Sequence, residues 1–148
     1  MRTRLALSLM PLALMLTAAG ALADPMAFAA VQAPEQGYYT CHAATAEAAA
    51  TCAMQQCSDA KSADCTVMAA CASGWAGAMG VMLEEVHFTD TVCGASSKNA
   101  AIQALTAFCR GRLPYVKECF ISEVWSPDGK AEKVERTITK EQLMKKKS

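Results

Sequence analysis

The chain holds eight cysteines but no C-x-x-C: successive cysteines lie 11, 5, 8, 6, 22, 16 and 10 residues apart. That absence excludes the thioredoxin-type redox motif, c-type haem attachment and the usual zinc ribbon together. Histidine is scarce, with only His42 and His87 available, so no local imidazole cluster points to a metal. Aromatic residues make up only 6% of the chain, which leaves few side chains large enough to fill a core. Basic and acidic residues balance at 14 each, and a neutral chain carries no electrostatic footprint for a phosphate backbone, so nucleic acid is not an expected partner. The longest apolar run, Leu5 to about Ala18, falls short of the ~20 residues a bilayer-spanning helix needs.

That run is nonetheless informative. Basic Arg2 and Arg4 precede it and the small residues Ala21 and Ala23 follow it, the three parts of a secretory signal with cleavage expected between Ala23 and Asp24. No cysteine stands at the cut, so a lipid-modified N-terminus is not indicated. Loss of Arg2 and Arg4 leaves 125 residues with 12 basic against 14 acidic, a net charge of −2. That length suits one domain. The expected organisation is a signal peptide over 1–23, a disulfide-rich α+β domain over 24–139 and a flexible basic tail over 140–148, without a transmembrane segment in the mature chain.

All eight cysteines, Cys41, Cys52, Cys57, Cys65, Cys71, Cys93, Cys109 and Cys119, survive this cleavage. An even number in an exported chain implies four disulfides and a periplasmic or secreted location. Each bridge contributes ~2–4 kcal/mol against a total stability of ~5–15 kcal/mol, so a core of small residues is sufficient.

Two Ala-rich segments have helical periodicity. Ala46, Ala49, Ala50, Ala53, Met54 and Cys57 recur at the spacing of one helix face, with Thr45 as N-cap and Glu47 in the first turn. Ala101, Ala104, Leu105 and Phe108 repeat the pattern behind Ser97, and Gly111 is expected to stop that helix in a left-handed conformation. Strands are expected elsewhere: a short edge strand over Met26 to Val31, Gly37 to Cys41, a buried strand over Cys65 to Cys71, a glycine-kinked strand over Trp75 to Leu83, and another at Val86 to Phe88. Cys119 to Trp125 and Lys130 to Thr139 read as a hairpin around the turn Ser126-Pro127-Asp128-Gly129. The fold class is α+β, a small domain with an antiparallel sheet and two Ala-rich helices.

A shift of 52 residues places Ala49 on Ala101, Ala53 on Leu105 and Cys57 on Cys109. Each unit is a helix ending in cysteine, a loop, and a strand opening with cysteine: Cys65-Thr66-Val67 in the first and Cys119-Phe120-Ile121 in the second. This helix-strand pseudo-repeat pairs Cys57 with Cys65 and Cys109 with Cys119; the other four cysteines have three possible arrangements. The pattern of Ala46 to Cys57, Cys65 to Val67, Cys71 to Gly80 and Ser97 to Cys109 resembles a family of bacterial exported domains of unknown function. The additional Cys41 and Cys52 and the charged C-terminal extension depart from it. The resemblance implies an exported α+β domain and assigns no catalytic residues.

No motif marks a catalytic site, a metal site or a cofactor. Cys41-His42 is adjacent in a strand, so the two side chains face opposite ways, and a bonded cysteine is no nucleophile. Glu85 and His87 have the spacing to share one face of a strand, which suits a metal, but a surface strand is the expectation. Ser96-Ser97-Lys98 lacks the spacing of the serine-lysine hydrolases, and Ser97 serves as a cap. Met79 and Met82 are read as core fillers, as are Trp75 and Trp125. The leading reading is a non-enzymatic module that binds a protein partner in the cell envelope, with a weak anionic-surface contact through the basic tail. The alternative is a hydrolase or inhibitor-like domain whose site combines His42, His87 and Glu85, and a third reading is a purely structural envelope component. An enzyme should set His42 or His87 in a concave pocket beside a carboxylate, whereas a binding module should expose an apolar patch.

Overall fold

The computed structural model describes residues 24–145, so the expected leader and residues 146–148 lie outside it. The chain forms β1 (Ala27–Ala33), β2 (Gly37–Ala43), α1 (Ala46–Asp59), β3 (Thr66–Cys71), β4 (Trp75–Met82), β5 (His87–Ala95), α2 (Lys98–Gly111), β6 (Glu118–Trp125), β7 (Ala131–Thr139) and α3 (Lys140–Met144). The class is α+β and every strand pair is antiparallel, but the strands divide into two sheets, ordered β2-β1-β3 and β5-β4-β6-β7.

Both Ala-rich helices form from their expected caps. Thr45 Oγ1 accepts from the Ala48 amide at 3.1 Å and Ser97 Oγ from the Ala100 amide at 3.1 Å, each satisfying a donor that the first turn leaves free. The buried faces are Ala49, Ala53 and Cys57 in α1, and Ala101, Leu105 and Cys109 in α2, so the 52-residue shift is a structural equivalence. It extends beyond the helix. In each half a hairpin leads into the helix, and the strand after the helix returns to pair with the hairpin's first strand: β3 with β1, and β6 with β4.

The halves pack through their sheets, with a helix outside each. Ala27, Ala29, Val31 and Ala33 of β1 face α1, while Phe28 and Ala30 on its other side meet Ala76 and Ala78 of β4 and Trp125 of β6. Met79, Val81, Cys119 and Ile121 carry the second sheet's core toward α2. Alanine dominates the first half and the junction, which lets α1 and the sheets approach closely but buries little area per residue.

Disulfides reinforce that layout. Cys57–Cys65 and Cys109–Cys119 tie each helix end to its following strand, as the repeat predicts. Cys41–Cys52 adds a second bridge, β2 to α1, to the Ala-rich half, and Cys71–Cys93 joins β3 to β5 across the two sheets.

Five expectations need correction, the first being Phe108, which its spacing put on the apolar face of α2 and which is 49% exposed because that face centres on Ala101, Leu105 and Cys109. The segment read as an edge strand, β1, is the centre of its sheet, hydrogen-bonded by β2 and β3 on its two sides and buried at every position but Gln32. The segment read as buried, β3, is instead an edge, with Val67 44% and Met68 40% exposed. Gly111 lies within α2 with no left-handed conformation, and Arg112 caps the helix. The tail is partly structured: Thr139 and Gln142 form a reciprocal capping box on α3, and Leu143 is buried against the α2-side core.

Candidate functional site

A cleft of about 400 Å³ opens where the end of the first sheet overhangs the second. Strand register builds its floor. On the face of the second sheet turned away from α2, Thr89, Gly80 and Phe120 stand in one row across β5, β4 and β6, and His87, Met82 and Glu118 stand in the next. Met82 is 47% and Phe120 44% exposed in these rows. The roof comes from the first sheet: Gln32 and Ala33 of β1, the turn through Glu35 and Gln36, and Tyr38 of β2.

Polar groups fix the roof in place. Gln36 Oε1 accepts from the Ala63 amide at 2.9 Å, and Glu35 sits at the turn tip with φ 58°. Tyr38 and Thr91 share a hydroxyl hydrogen bond of 2.9 Å that spans the two sheets. Burial pushes the Tyr38 phenol up to about 12, against the opposing effect of the Thr91 bond. It is therefore a neutral structural contact at physiological pH.

The two glycines of β4 have different reasons to be there. A Cβ on Gly77 would lie 3.0 Å from both Leu105 Cδ1 and Val124 Cγ1, so that glycine lets α2 seat on the sheet. A Cβ on Gly80 would meet only the Phe120 carbonyl oxygen, at 3.9 Å. Packing does not require a glycine there. Its effect is to leave a depression between Thr89 and Phe120, at a point where an occupant can approach the strand backbone.

The three residues of the hydrolase reading occupy three places. His87 lines the cleft, but Glu85 lies in the turn before β5, beside Leu83, Glu84 and Tyr115. His42 stands on β2 near the far end of the sheet junction, four residues and so ~13 Å of strand from Tyr38. Its ring meets the edge of Phe28 at 5.3 Å between centroids and lies under Gly129 of the β6–β7 turn. His42 Nε2 is buried without a hydrogen-bond partner, and desolvation holds the imidazole pKa below its ordinary value. Within the cleft the carboxylate in His87's row is Glu118, with Met82 between them.

The remaining candidates resolve structurally. All eight cysteines are bonded, so Cys41 is no nucleophile. Lys98 pairs with Glu132 at 2.8 Å, tying α2 to β7, and Ser97 caps α2. Met79 and Met82 face opposite sides of β4, so they cannot share a metal; Met79 is buried against α2 as a core filler, but Met82, read the same way, is instead exposed in the cleft because the strand's alternation turns it away from α2. Trp125 is buried at the junction, and Trp75 packs on the core under α2. Among the described residues no group of three histidine, cysteine or acidic side chains is placed to hold a metal, and no helix is long and apolar enough to cross a membrane.

Sequence reasoning missed Glu35, Glu118, Phe120 and Gly80 as cleft residues. Gly80, Phe120 and Glu118 are brought together only by strand register, which a single sequence does not carry, and Glu35 joins them only through the β1–β2 turn that forms the roof. No family model matches the chain, and no match is found among curated proteins or solved structures.

Proposed function

We propose that the chain is an exported, disulfide-stapled recognition module of the periplasm or extracellular space that binds a protein partner through the cleft between its sheets. The observation that carries this reading is Gly80, a strand glycine unexplained by packing, at the floor of a depression flanked by exposed Met82 and Phe120. The size is that of small-ligand pockets, which run from about 300 to 1,000 Å³, and so admits a few side chains of a partner. Recognition suits these side chains better than group transfer does, because Met82 separates His87 from Glu118 and no thiol is free. Four disulfides give the cleft a rigid frame, and rigid sites lose less entropy on binding.

Site-specific photocrosslinking in intact cells tests this. A photoreactive phenylalanine in place of Met82 should yield a discrete adduct, while the same group in place of Glu47, on the exposed side of α1, should not. Adding Gly80→Leu, which fills the depression, should abolish the adduct. Equal labelling from both positions, or labelling that survives Gly80→Leu, would remove the cleft as the recognition surface.

A further inference from the structure

Taking the cleft as the recognition surface, we infer that its occupant is an extended polypeptide segment of the partner carrying a large apolar side chain and, two residues away, a lysine or arginine. The charge of the cleft motivates the cation. Its lining includes the carboxylates of Glu35 and Glu118 and no lysine or arginine. Lys117, the sequence neighbour of Glu118, is turned away and donates to the Glu84 carbonyl at 3.1 Å. Both carboxylates are exposed, and neither takes part in an ion pair among the described residues. A cation would therefore meet unneutralised charge in this cleft, with one carboxylate on its roof and one on its floor.

The spacing motivates the extended backbone. Phe120 and Glu118 are two residues apart on one face of β6, so the apolar depression and the carboxylate lie ~7 Å apart along the strand. An extended segment repeats its same-side side chains at that interval. Its apolar side chain fills the space above Gly80, against Phe120 and Met82, while the cationic side chain reaches Glu118 below and Glu35 above. The aliphatic stem of a lysine or arginine also covers Met82 on the way. An acidic or purely apolar segment would leave two carboxylates desolvated without a partner, which is costly.

The test uses the oxidised, isotopically labelled protein and three end-blocked pentapeptides, Gly-Leu-Ser-Lys-Gly, Gly-Leu-Ser-Glu-Gly and Gly-Leu-Ser-Gln-Gly, followed by amide chemical shifts. The lysine peptide should perturb Gly80, Met82 and Glu118 and lose affinity from 50 to 500 mM salt. Glu118→Gln should weaken it about two- to fivefold, the loss expected for one exposed ion pair, and Glu35→Gln in the same direction. Both sites are exposed and uninvolved in internal bonds, so the fold should survive either change. If the glutamate or glutamine peptide perturbs these residues as strongly, the cationic preference is wrong while the cleft stands as a recognition surface. If no peptide of any charge perturbs the cleft, both readings fall.

Discussion

Leu105 reaches so close to β4 that its Cδ1 atom stands 3.0 Å from the position a Cβ on Gly77 would take. Three residues on, Gly80 faces open space on the other side of the same strand. Gly77→Ala should therefore destabilise the oxidised protein by about 1–3 kcal/mol through overpacking. Gly80→Ala should be neutral or stabilise it by about 0.4–1 kcal/mol, because its backbone suits any residue and the unfolded chain loses freedom. Urea unfolding with the disulfides intact measures both. A loss at Gly80 as large as at Gly77 would show that the depression is part of the packing.

The four disulfides should reduce in two groups. In Cys109–Cys119 both residues are wholly buried, whereas each of the other three bridges offers at least one half-buried cysteine, Cys65 in one and Cys41, Cys52, Cys71 and Cys93 in the other two. Thiolate attack needs access to sulfur. Limited reductant followed by alkylation and peptide mapping should label the second group first. Cys71–Cys93 closes the longest loop, at a separation of 22, and joins the sheets, so removing both cysteines should cost about 3 kcal/mol. Early labelling of Cys109 or Cys119 would mean that α2 opens locally before the sheet junction does.

The same cysteines show what a single sequence reveals. A 52-residue shift exposes the helices, their caps, their buried faces and two bridges, because helical periodicity is local and cysteine is a rare marker. Partnership between strands is not local. β1 is Ala-rich and flanked by Pro25 and Pro34, which reads as an edge, yet β2 and β3 enclose it. β3 reads as buried from its apolar run, yet it has only β1 for a neighbour. Even a 52-residue match can mislead: Cys41 and Cys93 are separated by that interval, but Cys41 bonds its own helix and Cys93 bonds the other sheet. A register shift between Trp75 and Gly77 in the β4–β5 pairing accompanies the change of face. The cleft depends wholly on register, since His87, Met82 and Glu118 come together only across three strands.

His42 gives the fold a pH dependence of defined sign. Its pKa in the folded state lies below the ordinary 6.5, so the unfolded chain binds a proton more readily. Stability from this group is present above pH 6.5 and declines as the pH falls through that value and toward the lower folded pKa. Asp128, held at about 2 mainly by its Lys130 and Ser126 hydrogen bonds, acts in a separate window, losing its contribution only as pH falls from 3.8 toward 2. Denaturant midpoints measured from pH 7.5 to 5 should fall for the wild type and change less for His42→Phe, which also removes the unpartnered Nε2 atom. Parallel slopes for the two proteins would place the titrating group elsewhere.

The end of the chain should matter more to stability than its charge suggests. Leu143 is 6% exposed and belongs to the buried cluster that includes Val81, Val116 and Ile138, while the capping box holds the turn that delivers it. Leu143→Ala should cost about 2 kcal/mol, the low end for a buried leucine because α3 is a single short turn free to adjust. Thr139→Ala should cost about 1 kcal/mol through loss of the cap. Removing 140–148 should lower the melting temperature at least as much as Leu143→Ala, since the truncation strips the same side chain and uncovers its contacts. Changing Lys140 and Lys145 to glutamine should leave it nearly unaltered, because neither forms an ion pair among the described residues. Thermal unfolding of these variants under oxidising conditions separates the two contributions: a truncation that melts with the wild type would mean Leu143 adds nothing to the core, and the segment would be held by charge or not at all.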